Sequence, residues 1–180
     1  MTHSFALVAC LAAVGLLALS SCSTAPDTAE NALSMAETKR TVQLVRNALA
    51  SQIDTDLIEN LSTVRDSSVS CDDSPDGFNR RWRSTVLSTL AAAHAPEVLS
   101  IVQEIVGSYV ADGWESSSEN PTRSTLRVTL AKNESLATVA ITAEEDVDGD
   151  GYGATIFMDV TGPCVPTDGP GSDELKLLGG

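Results

Sequence analysis

The chain is 180 residues long, with 11 basic side chains against 25 acidic ones, a formal net charge of −14, and 42% hydrophobic residues. That length gives room for one folded domain around one core. So acidic a chain is repelled by nucleic acid and by anionic lipid headgroups, which excludes the first as a partner and a basic patch as the means of holding the second.

Phe5–Leu19, FALVACLAAVGLLAL, is an uncharged apolar run. It is shorter than the ~20 residues a spanning helix needs and suits the h-region of a signal peptide. It ends in LSSC, Leu19–Cys22. A branched apolar residue, two small residues and Cys form the pattern of a bacterial lipobox, in which the thiol is acylated and the chain is cut just before it. The small residues let a peptidase admit extended backbone at the cut. The opening Met1–Ser4 holds His3 but no Lys or Arg and so departs from the usual positive start. An ordinary secretory signal with an unrelated Cys is the plainer alternative. Loss of residues 1–21 removes no acidic or basic side chain, so residues 22–180 keep the whole net charge. The expected tether is therefore covalent lipid on Cys22, at the extracytoplasmic face of the cell membrane, where each buried CH2 contributes about 0.8 kcal/mol.

Residues 22–31 read as the lipidated N-terminus and linker, and 32–166 as the folded domain. Over Ala32–Ile53 the apolar Leu33, Val42, Val45, Leu49 and Ile53 recur at near-helical spacing, with Glu37, Lys39, Arg40 and Arg46 mostly between them. This predicts an amphipathic helix, with Asp54–Leu61 as a possible extension. Ser62–Val69 predicts a short strand running into Cys71, and Asp72–Gly77, DDSPDG, a loop. Phe78–Thr89 alternates with a period of two, Phe78, Trp82 and Val86 on one face and Asn79, Arg81 and Arg83 on the other. Arg80 falls on the apolar side, which suggests a sheet edge. A second helix is expected from about Ala95, with Pro96 early, where its missing N–H costs nothing. Val98, Ile101/Val102, Ile105 and Tyr109 form its buried stripe and Asp112-Gly113 its stop.

Three strands follow, Ser124–Ala131, Leu136–Ala143 and Tyr152–Thr161, joined by connections short enough for hairpins. The expected fold is α+β, two helices packed on one face of an antiparallel sheet that ends in a three-stranded meander. Residues 167–180 read as a flexible C-terminal tail.

Between the last two strands stands a ladder of Asp146, Asp148 and Asp150 followed by Gly151. Positions 1, 3, 5, 6 and 7 of a helix-loop-helix calcium loop fit, but position 12, which requires a bidentate Glu, is Phe157, and both flanks predict strand. A looser calcium site in a hairpin survives, with Glu144 or Glu145 completing the oxygen shell. The plainer account is an acidic turn whose Asp and Gly serve turn geometry. No cofactor is otherwise expected.

Of the four Cys, Cys10 leaves with the signal peptide and Cys22 carries lipid. Cys71 and Cys164, left in an oxidising compartment, read as one disulfide. Closing so long a loop contributes about 4–5 kcal/mol on chain-entropy estimates. A metal or redox thiol pair is the alternative, but it lacks a second His/Cys cluster or a CxxC.

The lipobox, the helix, a Cys before a Trp-bearing strand, a helix ending in Asp112-Gly113-Trp114, the meander and a last strand closing on VTGPCVP, Val160–Pro166, together resemble the small actinobacterial cell-envelope lipoproteins of the LppA type. The resemblance implies an exported, membrane-anchored domain with a Cys71–Cys164 bridge. It implies no reaction.

His94 is the only His after the signal peptide, so an envelope hydrolase or transferase with a Ser-His or Cys-His pair has to use it. A lone His before a helix more often caps or faces solvent. Arg80–Arg83, RRWR, gathers basic residues around an aromatic and suits an acidic glycan or a partner protein; a strand with a solvated charged face is the plainer account. The sequence therefore leads to a noncatalytic, lipid-anchored binding domain, meeting an envelope protein or glycan through its sheet or the surface around Trp82 and Trp114. Processing at LSSC is checked by Cys22→Ala, which is expected to abolish palmitate labelling and to move the protein out of the membrane fraction; unchanged labelling would reject the lipobox.

Overall fold

The computed structural model describes residues 33–72, 74, 76–119, 122–133, 135–145 and 153–179. Helix α1, Met35–Ala50, starts where a capping box forms. The Ser34 hydroxyl accepts from the Glu37 amide at 3.2 Å, and the Ser34 amide donates to Glu37 Oε2 at 2.9 Å, so two N-terminal donors that the helix cannot satisfy find partners. Its inner face is Met35, Thr38, Val42 and Leu49.

The helix does not continue through Asp54–Leu61. Asp54 caps a single 3-10 turn, Thr55–Leu57, and the backbone then extends into strand β1, Ile58–Ser70. Long-range pairing overrides local propensity here: the Ala91 amide donates to Leu57 O at 3.0 Å and Ile58 lies opposite Leu90. β1 is thus much longer than the short strand predicted, with register shifts at Glu59 and Val64.

Strand β2, Asn79–Leu90, alternates as predicted, but it is an interior strand. Its buried side is Arg80, Trp82, Ser84, Val86, Ser88 and Leu90. Phe78 lies before the strand and is 66% exposed. The inward position of Arg80 therefore does not mark a sheet edge. Its guanidinium is satisfied inside, with Nε donating to Ser68 Oγ at 3.2 Å.

Helix α2, Val98–Ala111, is preceded by a 3-10 segment, Ala92–Glu97, that contains Pro96. Proline disfavours α geometry at the residue before it, so the regular helix starts just beyond. Val98, Val102, Ile105 and Tyr109 are buried as the spacing predicts, and Gly113, at φ 86°, ends the helix in the left-handed region.

The remaining strands are β3 Glu115–Glu119, β4 Thr125–Ala131, β5 Thr138–Glu144, β6 Thr155–Thr161 and β7 Val165–Pro166. Among the described residues they complete a seven-stranded sheet of order β1-β2-β6-β5-β4-β3, with β7 pairing the start of β2. The β4-β5-β6 meander is present and antiparallel. One row of the core runs Val86, Met158, Ile141 and Val128 across four paired strands. Helix α1 covers β2 and β6, and α2 covers β4 and β5, on this same buried face. The fold is α+β, as expected. Asp146, Asp148 and Asp150 lie outside the described residues.

A disulfide joins Cys71, just after β1, to Cys164, between β6 and β7, with Cα atoms 6.1 Å apart. Residues 167–179 do not form a free tail. Thr167 donates from its amide to Phe78 O at 2.8 Å, and helix α3, Asp173–Leu177, drives Leu175 into full burial. The apolar signal was a few leucines in a short polar stretch, too brief to carry a period. Among the described residues no helix is long and apolar enough to cross a membrane. Leu175→Ala is expected to cost about 2–5 kcal/mol in urea unfolding, the range for deleting a buried leucine side chain; a loss within error would show that the segment is dispensable to the fold.

Candidate functional site

Trp82 is not a surface residue. It is fully buried between α1 and the sheet, with Lys39 Nζ 4.7 Å from its ring centroid. A buried indole N–H requires an acceptor. Asp66 on the neighbouring strand provides it, Trp82 Nε1 donating to Oδ1 at 2.6 Å. Gln43 of α1 donates to the other oxygen of Asp66 at 2.6 Å, and Arg46 Nη1 stands 3.8 Å from it while donating to Ser84 Oγ at 2.9 Å. Lys39 also donates to Leu178 O at 2.6 Å, which draws the C-terminal segment into the same cluster. Burial alone pushes the Asp66 carboxyl up, but hydrogen bonds from Trp82, Gln43 and Ser84 and the charge of Arg46 more than offset that and hold it below the usual carboxylate value. These partners all belong to the fold. Trp114 is half-buried and packs edge-on to Tyr109, ring centroids 5.2 Å apart.

The residues singled out for catalysis do not converge. His94 Nδ1 lies 3.1 Å from Glu97 Oε1, one turn further along its own segment. No Ser or Thr hydroxyl among the described residues bonds to it, and Cys71 and Cys164 are joined to each other. Among the described residues no group of three or more His, Cys, Asp or Glu is placed to hold a metal; Asp146, Asp148 and Asp150 fall outside them.

The basic run divides by strand alternation. Arg80 turns inward, and Arg81 and Arg83 turn to the helix-free face of the sheet. Arg83 grips Asp159 of β6, Nε at 2.8 and 2.9 Å from the two carboxylate oxygens and Nη2 at 2.8 Å from Oδ2; Thr85 donates to Oδ1 at 2.7 Å. The hydrogen bond to Asp159, against the opposing effect of burial, raises the affinity of Arg83 for its proton. Around this pair the face is built of half-exposed side chains. Leu87 lies opposite Phe157, which lies opposite Thr142; Thr89 lies opposite Thr155, and Ala140 opposite Thr129. Neither α1 nor α2 covers this side. The alternation of β2 made half of this face legible; β6 and β5 join it only through the sheet order.

No protein-family profile matches the chain, and no curated protein matches it. A solved structure designated lipoprotein LppA, from Mycobacterium tuberculosis, is similar at 14% identity and a TM-score of 0.38, over 74% of this chain and 76% of that one. At that distance the specificity of the chain has to be argued from its own residues.

Asp66 supplies a pH signature. Its folded carboxyl binds a proton more weakly than the unfolded one, whose ordinary value is 3.8. The stability it contributes is complete above that value and is lost as pH falls through the lower folded one. Asp66→Asn places an amide donor against the donors of Gln43 and Arg46. It is expected to cost about 1–3 kcal/mol at neutral pH, with the gap to the parent narrowing in acid denaturation below about pH 4. A gap that stays constant down the acid limb would remove the carboxylate charge from the explanation.

Proposed function

We propose that this protein is a lipid-anchored component of the cell envelope, held at the extracytoplasmic face through acylated Cys22, and that its folded part binds a partner rather than catalysing a reaction. The anchor reading rests on the LSSC lipobox after an apolar run with no spanning length. The binding reading is carried by one observation: both main helices cover the same side of the sheet, leaving the other side broad and half-exposed. In support, the two Cys are joined to each other, and no Ser or Thr hydroxyl among the described residues bonds to His94.

The anchor places this domain within reach of envelope polymers and other anchored proteins. A photo-crosslinking residue introduced at Thr142 or Thr129, both on the helix-free face, is expected to form adducts in intact envelopes that the same group at Ser100, exposed on α2, does not. Equal labelling from the two sides, or labelling from Ser100 alone, would overturn the choice of face.

A further inference from the structure

We infer that the β1-β2-β6 part of the helix-free face is a docking site for an acidic polysaccharide, recognised by Arg65, Arg81 and Arg83; this rests on the binding function proposed above and names its ligand class. Strand register puts the three guanidinium groups on one side. Arg65 lies opposite Thr85, Arg83 opposite Ser67, and Arg81 opposite Val69, all on the face away from the helices. Arg83 is clamped by Asp159 through Nε and Nη2, which fixes its plane and leaves Nη1 outside the pair. Among the described residues the guanidinium groups of Arg65 and Arg81 have no hydrogen-bonding or ionic partner.

The charge distribution is the unusual feature. In a chain of net charge −14, the register-paired residues that β1, β2 and β6 present on this face carry three arginines and a single acid, Asp159, already engaged by Arg83. The exposed Asp72 and Asp76 in the loop after β1 set a limit to the site at that end. Acidic groups elsewhere repel a polyanion, so it is directed to this one area.

The neighbouring chemistry favours a glycan over other anions. Beside the arginines stand hydroxyls that both donate and accept, Ser67 and Thr161, and further along β2 the cross-strand pair Leu87 and Phe157 offers an apolar strip to the C–H face of a sugar ring, with the hydroxyl of Thr89 beyond it. An acidic peptide bound by strand addition would lie along the outer edge of β1 and not over the face of the sheet, where the three guanidinium groups stand. A membrane surface presents charge without a polyhydroxyl chain to match the threonines.

The test is direct binding of alginate, a polyuronate, to the full-length lipoprotein in neutral detergent, with dextran, polyglutamate and phosphatidylglycerol vesicles as comparisons. Alginate is expected to bind with strong salt dependence, and Arg65→Ser with Arg81→Ser to weaken it by about tenfold, the loss of two exposed charge contacts. Arg40→Ser with Lys176→Ser removes the same charge from the helical side and is expected to bind as the parent does. Melting temperatures of both double variants are expected to match the parent, since the guanidinium groups of Arg65 and Arg81 are unbonded and the Lys176–Asp173 pair is exposed. No alginate binding, an equal loss in the two double variants, or tighter binding of polyglutamate or vesicles would overturn the glycan assignment. Crosslinking confined to the sheet face would still leave the binding function standing, whereas crosslinking from the helical side alone would remove that function's chosen face as well.

Discussion

Burying an indole beside a sheet creates an obligation that the rest of the molecule meets. Trp82 fills the space under α1 completely, and its N–H cannot be left without an acceptor in that low-dielectric layer. Asp66 answers it, which brings a carboxylate inside, and the carboxylate in turn requires donors. Gln43 and Arg46 come from α1, while Lys39 lies over the ring and holds the carbonyl of Leu178. Helix, edge strand, central strand and C-terminal segment are thereby tied to one side chain. A partly satisfied network of this kind is worse than an apolar core, so its members fix the register of α1 on the sheet as well as stabilising it. Gly162 belongs to the same constraint: a Cβ there would run into Thr38 Cγ2 and crowd Val42, so its absence lets α1 lie close to the end of β6.

The one-sided cover has a functional consequence. A sheet with both helices on one face buries alternate residues and leaves the others half-exposed, and here the exposed set is neither strongly apolar nor uniformly charged. Threonines dominate it, with Leu87 and Phe157 near the middle and arginines at one end. In a protein whose surplus charge is acidic, such a face is electrostatically distinct from the rest. Its rigidity comes from the interior strands, each paired on two sides, and side chains mounted on them keep a fixed spacing that loops would not give.

The Cys71–Cys164 bridge and the last residues close the other end of the domain. The bridge ties the turn after β1 to the turn before β7, across a sequence separation of 93, so the denatured chain is restrained over most of the domain. Beyond it the chain returns to Phe78 and buries Leu175, continuing the core past the last strand. With both main helices on one side of the sheet, the helix-free face is left as the broad uncovered surface among the described residues.

Much of this was legible in the sequence because it depends on local chemistry. The apolar run and LSSC define the export and lipidation expectation without any fold. The period of 3.6 gave α1 and the stripe of α2, and the period of two gave β2 and the meander, since burial on one side leaves that imprint on side-chain order. The pairing of Cys71 with Cys164 followed from how few thiols remained. Tertiary structure decided whatever depended on partners distant in sequence. The strand beginning at Ile58 and the wholly exposed ESSSE strand β3 exist because another strand offers backbone groups, which leaves no hydrophobic pattern behind. The inward turn of Trp82 was visible as alternation, but its complete burial required α1, Asp66 and the C-terminal segment to meet around it. The gathering of Arg65 with Arg81 and Arg83 likewise arises only from the antiparallel register of β1 on β2, because residues that share a face of a sheet are neighbours across strands and not along the chain.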